Sequence, residues 1–322
     1  MAGPVEEGAV GGRAPAIAVE LIAVLVAVAD GRPKVMTIGD GLALPSGPFE
    51  VERRSLQAGL RAWVERQTRH PLGYVEQLYT FADRDRRGDA GGARAISISY
   101  LGLTRAEGAD APHARWRDWY EYFPWEDHRA GAPRLIGETL APALRAWAEE
   151  AADAATLETR RRRAAIAFGL DGRRWNEELA LQRYELLFEA GLIAEAHRQD
   201  AGRRAPNGAS LEAGRAMHAD HRRILATGVA RLRAKIKYNP VVFELMAPSF
   251  TLSQLQRCFE ALAGLLVHKP NFRRLIEQRE LVEETGERAA DTGGRPAKLY
   301  RFRPAVREER AIIGTKLPLP RA

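Results

Sequence analysis

The chain has 322 residues, a length that suits two domains with a connector better than one domain. Its residues are 45% hydrophobic and 28% charged, a composition typical of soluble globular proteins. The single cysteine, Cys258, excludes an intrachain disulfide and favours a reducing cytoplasm. The most apolar run, residues 14–29, is shorter than a bilayer span and contains Glu20, so it predicts a buried strand and not a membrane helix.

The positive charge is concentrated near the carboxy terminus. The net charge is +7, and from Arg233 onward Lys+Arg outnumber Asp+Glu by 17 to 10, whereas residues 1–232 balance at 32 each. A local basic excess attracts polyanions such as nucleic acid or anionic lipid. Charge alone leaves an inert basic surface equally open.

The first 130 residues predict a mixed α and β domain. Residues 16–28 and 34–38 predict a hairpin, and residues 73–85 and 93–103 predict two further strands, because apolar residues alternate and turn residues flank them. Residues 54–69 predict an amphipathic helix. The aromatic run over residues 115–125 is predicted to pack at an edge of this domain, with a ligand or interface surface as the alternative.

Long helical stretches follow Pro133 and fill residues 134–236. The basic run Arg160–Arg163 predicts a solvated helix face. The apolar face with Tyr184, Leu187 and Phe188 predicts either core packing or part of a coupling or dimer surface. His218 and His221 lie three residues apart on a helix, a spacing that suits a metal site, but without a third ligand they favour helix-surface or capping roles.

The last 85 or so residues predict two packed helices and a hairpin. Thr251 suits the N-cap of the first helix and Gly264 its C-terminal end, and four apolar residues share one face: Leu252, Leu255, Phe259 and Leu262. The second helix is predicted to dock on the first through Phe272, Leu275 and Ile276. Its outward-facing residues are Lys269, Asn271, Arg273, Arg274 and Arg279. This is the plan of a helix-turn-helix.

A predicted hairpin follows the basic helix and forms a wing. Its strands are "LVEETGE" and "AKLYRFRP", and its tip holds Gly293, Gly294 and Arg295. The major groove of DNA admits one helix, so we expect the basic helix to read bases there. Arg295 is expected to touch backbone or minor groove, and Lys298 to add a phosphate contact. Protein docking is the alternative role of a winged helix.

Three segments in this order, "FTLSQLQRCFEALAG", "NFRRLIEQRELVEETGE" and "GGRPAKLYRF", resemble the winged helix of the Nudix-related transcriptional regulators of bacterial NAD biosynthesis. The resemblance covers roughly 65 residues. It implies a Nudix-fold sensor domain ahead of the DNA-binding module. The helical stretches of residues 174–196 and 220–246 resemble the longer NadQ-type form of this family, which is found in alphaproteobacteria.

That resemblance motivates a search for the Nudix box, G-x5-E-x7-R-E-U-x-E-E-x-G-U with U apolar, whose glutamates hold divalent cations on a diphosphate. From Gly47 the spacing reaches Arg61 at the arginine position. The four glutamate positions hold Arg53, Ala62, Glu65 and Arg66, so only one carboxylate remains. The sequence therefore predicts a Nudix helix kept as scaffold, without hydrolytic chemistry; chance agreement in an amphipathic helix is the alternative.

Together these features predict an α+β protein with a degenerate Nudix-like domain over residues 1–133, a helical connector over 134–236 and a winged helix over 237–322. The predicted function is a cytoplasmic, homodimeric repressor of NAD biosynthesis genes on a near-palindromic operator. The resemblance implies NAD, ATP or ADP-ribose as effector, and Arg53, Arg61 and Arg66 are candidates to bind its diphosphate. No catalytic residue, metal or cofactor is predicted. An active nucleotide-diphosphate hydrolase with an appended DNA-binding module is the runner-up.

Overall fold

A computed structural model describes residues 17–70, 72–82, 94–106, 111–199, 213–237, 241–289 and 296–303. Within these ranges the chain forms two sheets and eight α-helices. No helix in the described ranges is long and apolar enough to cross a membrane.

The larger sheet has six strands in the order β4-β5-β1-β2-β6, and β3 pairs with β1. β1 and β5 run parallel, whereas the other pairs are antiparallel. The predicted hairpin and the two further predicted strands are confirmed. The strands are β1 (Ile17–Ala29), β2 (Arg32–Ile38), β3 (Ser46–Pro48), β4 (Tyr74–Phe81), β5 (Arg94–Leu103) and β6 (Ala114–Asp118).

β1 is the central strand and is buried on both faces, as its continuous apolar run predicts. Leu21 and Leu25 belong to a cluster under α1 (Leu56–Thr68), whereas Val24 and Val26 face the helices on the other side. The sheet therefore lies between α1 and a layer of helices.

The second helical layer confirms the predicted helical character of the connector. A π-helical turn over Ile136–Leu140 leads into it. Its helices are α2 (Ala141–Glu149), α3 (Ala154–Phe168), α4 (Ala180–Glu189), α5 (Ala194–Gln199) and α6 (His221–Ile236). α6 crosses the sheet closely, since a Cβ added at Gly228 would lie 2.8 Å from the Val24 side chain.

The predictions for the basic run of α3 and for His221 have different outcomes. The basic run of α3 is largely exposed, as predicted, and its arginines pair with neighbouring helices: Arg161 with Glu149 and Arg163 with Glu189. His221, in contrast, is buried and not on the helix surface. Its Nδ1 accepts a hydrogen bond of 2.9 Å from the Leu44 amide, so it joins α6 to the loop after β2.

The predicted packing role of the aromatic run is confirmed. Five of its rings are at most 5% exposed and pack between the sheet and the helices: Trp119, Tyr120, Tyr122, Phe123 and Trp125. The apolar face of α4 packs into the same cluster, with Tyr184 and Leu187 buried. This agrees with the predicted core-packing role, while the division of the chain at residues 133 and 236 remains a prediction.

The carboxy-terminal elements are α7 (Leu252–Ala263), α8 (Lys269–Gln278), β7 (Val282–Ala289) and β8 (Ala297–Phe302), after a short 3-10 helix over Val241–Leu245. Thr251 caps α7 in a capping box with Gln254, and Gly264 ends it at φ 70°, as predicted. β7 and β8 pair antiparallel as the wing.

Candidate nucleic-acid interface and nucleotide-binding region

The inner face of α8 rests on α7. Phe272 and Ile276, one helical turn apart, are buried, and the ring centroids of Phe272 and Phe259 are 5.9 Å apart. The prediction that Leu275 also docks on α7 is wrong, because its side chain is 44% exposed. Position 275 lies at the flank of the face that 272 and 276 define, and Leu275 lines the rim of an apolar cavity of about 520 Å³.

The outer face of α8 is polar and exposed, as predicted. Within the described part of the chain, no hydrogen bond or ion pair engages the side chains of Lys269, Asn271, Arg273 and Arg274. Arg279 at the far end donates to the Lys237 carbonyl oxygen at 3.3 Å. The first turns of α8 therefore present to solvent cations that no described carboxylate neutralises.

Two cations of the wing are arranged differently, because they pair with carboxylates. Lys298 lies 2.7 Å from Glu284 across the strands, and Arg301 lies 2.7 Å from Glu283. The hydrogen bond from Lys298 lowers the pKa of Glu284, and the same contact raises the pKa of Lys298. The predicted wing-tip residues Gly293, Gly294 and Arg295 lie outside the described residues.

The helix α1 of the degenerate box is held firmly on β3. Ser55 caps it, Trp63 Nε1 donates to the Pro48 carbonyl oxygen at 3.1 Å, and Gln67 bonds both backbone groups of Ser46. A Cβ added at Gly47 would lie 2.2 Å from the Trp63 ring, so only glycine permits this approach. The glycine that begins the box therefore has a packing role here.

The three predicted effector residues do not converge on one point. Arg53 Nε lies 2.8 Å from Glu50, and Arg66 lies 3.7 Å from the same carboxylate while its guanidinium covers the Trp63 ring. The Arg53 hydrogen bond and both positive charges lower the pKa of Glu50. Arg61 points elsewhere and donates to the carbonyl oxygens of Leu72 and Gly73.

Residues at the ligand positions of the box do not suit a divalent cation. Arg53, Ala62 and Arg66 supply no carboxylate, and Glu65 is exposed on the helix surface. Across the described ranges, no group of three histidine, cysteine or acidic side chains gathers as a metal site requires.

An ionic group that the sequence analysis missed joins the predicted Nudix-like domain to the predicted connector; we call Glu126, Arg183 and Arg233 the Glu126 cluster. Each side chain is at most 1% exposed. Arg183 Nε donates to Glu126 Oε1 at 2.5 Å, and Arg233 Nη1 donates to Oε2. Burial raises the pKa of Glu126, but the two arginine charges outweigh it and hold that pKa below its usual value.

Comparison with known proteins bears on the carboxy-terminal elements first. Residues 242–302 match the family model of the NrtR DNA-binding winged helix domain. A segment of 83 residues is 41% identical to the ADPR responsive transcriptional repressor NtrR of Acinetobacter baylyi. That match covers 26% of this chain and 33% of the repressor, so the chain matches about a third of its curated relative.

Solved structures extend the comparison to the whole chain at the level of fold. The crystal structure of Shewanella oneidensis NrtR complexed with a 27mer DNA matches with a TM-score of 0.52 at 20% identity, over 90% of this chain and 95% of that one. A MutT/nudix family protein from Enterococcus faecalis matches with a TM-score of 0.50 at 16% identity, over 91% of this chain and 88% of that one. Residues 242–302 therefore match an NrtR-type winged helix, and the chain as a whole is similar in fold to Shewanella NrtR and to a MutT/nudix family protein.

Proposed function

We propose that this protein is a cytoplasmic transcriptional repressor that binds duplex DNA through its winged helix and an adenine nucleotide through its Nudix-like domain. The observation that carries the proposal is the match of residues 242–302 to the NrtR DNA-binding winged helix, together with the exposed cations on α8, which pair with no carboxylate among the described residues. Genes of NAD biosynthesis are the proposed targets, because the resemblance of the chain points to regulators of that pathway.

For DNA, α8 is the proposed recognition helix. Lys269, Asn271, Arg273 and Arg274 lie in its first two turns and are exposed, and recognition helices commonly direct that end at base edges. Arg295 of the wing tip is the proposed backbone or minor-groove contact. One such module offers few contacts, so we propose a two-fold dimer on a near-palindromic operator.

The ion pair between Lys298 and Glu284 makes a prediction about the wing. We expect Lys298→Ala to weaken binding to operator and scrambled duplexes alike and to lower the salt slope by about one ion. Glu284→Gln should do the opposite and strengthen binding to both duplexes a few-fold, because it frees Lys298 for phosphate. Fluorescence titrations at several salt concentrations measure both effects; equal affinities for all three proteins would exclude Lys298 from the interface.

ADP-ribose is the first candidate for the nucleotide, since the related Acinetobacter repressor is named as ADPR responsive. NAD and ATP are the other candidates. A diphosphate needs counter-charge, and Arg53 and Arg66 are both exposed beside Glu50. Arg61 is the weaker candidate of the three, because its guanidinium is already engaged by two backbone carbonyl oxygens.

We further propose that the Nudix-like domain does not hydrolyse its nucleotide. Hard cations require oxygen ligands, and arginine or alanine at three of the four ligand positions repels or fails to hold Mg²⁺. We expect no cleavage of ADP-ribose to AMP and ribose 5-phosphate with Mg²⁺ or Mn²⁺. We also expect calorimetry in EDTA to detect binding of at least one of ADP-ribose, NAD and ATP. Metal-dependent turnover that Glu65→Gln abolishes would instead favour the hydrolase with an appended DNA-binding module.

The experiment that tests the repressor function directly starts from a random pool of duplexes. Selection by the purified chain should yield a near-palindromic consensus, and one of the three nucleotides should change the affinity for the selected duplex. A chain that retains no duplex above a scrambled control would refute the DNA-binding role.

A further inference from the structure

The carboxy-terminal end of α7 is held by groups from the other two segments of the chain. A helix ends with carbonyl groups that lack intrahelical partners. Here Tyr120 Oη donates to the Ala261 carbonyl oxygen at 2.8 Å, and the His128 amide donates to that of Gly264 at 2.8 Å. Arg233 Nε donates to the carbonyl oxygen of Leu262 at 2.9 Å. The sensor and the connector together satisfy the end of a helix that belongs to the winged helix.

The Glu126 cluster makes this contact rigid. The Arg233 guanidinium bonds Leu262 through Nε, the Glu126 carboxylate through Nη1 and the Glu126 carbonyl oxygen through Nη2 at 3.2 Å. Arg183 on α4 bonds the other carboxylate oxygen. Because these charges are excluded from water, moving one of them leaves another unsatisfied. The cluster therefore favours one arrangement of the three segments over intermediate ones.

Space at the contact is equally limited. A Cβ added at Gly264 would lie 2.3 Å from the Glu126 carbonyl oxygen and 2.9 Å from the Tyr120 hydroxyl. The backbone of α7 thus touches the backbone of the sensor segment directly. A displacement of the backbone at Glu126 must therefore displace the backbone at Gly264, and the reverse also holds, since close-packed interiors transmit strain.

The contact at the carboxy-terminal end of α7 is connected to α8, the proposed recognition helix, through the packing of α7 on α8. α7 packs on α8 through Phe259 and Phe272, and Phe272 is buried between the two helices. The direction in which α8 presents its cations therefore depends on how the end of α7 is seated.

In the Nudix-like domain, the same contact is connected through β6 to the end of α1, the helix of the degenerate box. Tyr120 lies two residues beyond the end of β6, and Asp118, the last residue of β6, accepts a hydrogen bond of 2.9 Å from the Tyr120 amide. Two residues earlier on β6, the Trp116 ring packs edge-on against His70, 5.5 Å away, just beyond the end of α1. Only three residues of chain therefore separate Trp116, which contacts the segment just beyond α1, from Tyr120, which contacts α7.

We propose that Tyr120 is a positioning residue that couples the nucleotide-binding domain to the recognition helix, through its hydroxyl on the Ala261 carbonyl oxygen. The inference rests on the proposed function and adds the route by which nucleotide and DNA affect one another. Coupling between two ligands is a free energy that both share, so it is measured as the ratio of the DNA dissociation constants with and without nucleotide.

Tyr122 supplies a matched control for the test. Its hydroxyl is also buried and also donates to a backbone carbonyl oxygen, that of Gly41 at 2.7 Å, but this bond stays within the sensor domain. Tyr120→Phe and Tyr122→Phe each remove one buried hydroxyl and keep the ring. Only the first removes a bond between the sensor and α7.

The experiment uses the full chain, the duplex selected by the wild-type protein and ADP-ribose, NAD and ATP as probes. Couplings of about five-fold to 150-fold are typical, and we expect Tyr120→Phe to bring the ratio at least about three-fold closer to one. Tyr122→Phe should leave the ratio at its wild-type value. A wild-type response that Tyr120→Phe keeps in full would overturn the inference alone. A wild-type ratio of one with all three nucleotides would remove nucleotide control itself, and the inference with it.

Hydrogen exchange of the wild-type protein gives a second readout that does not depend on the variant folding. The His128 amide donates to Gly264 at the same contact. We expect the effective nucleotide to change the protection of this amide. Unchanged protection, under conditions where DNA affinity responds, would show that the signal travels by another route.

Discussion

Glu126→Gln is expected to lower the free energy of unfolding by about 3–5 kcal/mol, the usual cost of removing one partner of a buried ionic group. Glutamine keeps the shape of the side chain but leaves Arg183 and Arg233 buried without a counter-charge. Urea denaturation followed by circular dichroism measures the loss.

A matched control is Glu189→Gln, which breaks the pair with Arg163 on the surface. Both partners of that pair are more than 40% exposed, and exposed pairs contribute at most about 1 kcal/mol. If the two variants lose equal stability, then the Glu126 cluster contributes no more than a surface pair and its role in holding the segments together must be abandoned.

Glu126→Gln should also change how the free energy of unfolding depends on pH. The pKa of Glu126 is lowered in the folded protein, so its charge stabilises the fold above the unfolded-state pKa of about 4.3, and this contribution is lost as the pH falls through the folded-state value. The difference in stability between wild type and Glu126→Gln should therefore be constant near neutral pH and shrink below about pH 4. A difference that grows on acidification would contradict the charged state of this carboxyl.

Arg274→Ala should cost about 1–3 kcal/mol of operator affinity and relax sequence preference, if the guanidinium makes a bidentate contact with a base. Arg274 is exposed on the outer face of α8, and no carboxylate among the described residues neutralises it. Titration of operator and scrambled duplexes at several salt concentrations distinguishes a base contact of Arg274 from a phosphate contact. A base contact affects the operator alone, whereas a phosphate contact affects both duplexes and the salt slope.

Arg162→Ala is the control for charge in general. Arg162 is exposed on α3, within the basic run of the connector, and should leave both affinities unchanged. If Arg274→Ala binds both duplexes as wild type does while it remains folded, the DNA-binding face lies elsewhere and α8 is not the recognition helix.

Local patterns in the sequence determined the secondary structure and the winged helix. The unbroken apolar run of β1 predicts a strand buried on both faces, and the structure places α1 on one face and the connector helices on the other. Thr251 and Gly264 predict both ends of α7, because capping depends on neighbouring residues and on a single backbone angle. Features of this kind are visible in sequence, since the interacting groups lie within a few residues of each other.

Only the tertiary structure decided which charged groups are buried and which face solvent. Glu126 meets Arg183 and Arg233 across 57 and 107 residues, and no sequence period links such positions. Arg61 matches its expected place in the box, but the fold turns it onto the carbonyl oxygens after α1, while Arg53 and Arg66 share Glu50. The physical reason is that burial and pairing depend on how separate elements pack together, and side chains of one type can therefore lie in a core, in a surface pair or free on a helix that faces DNA.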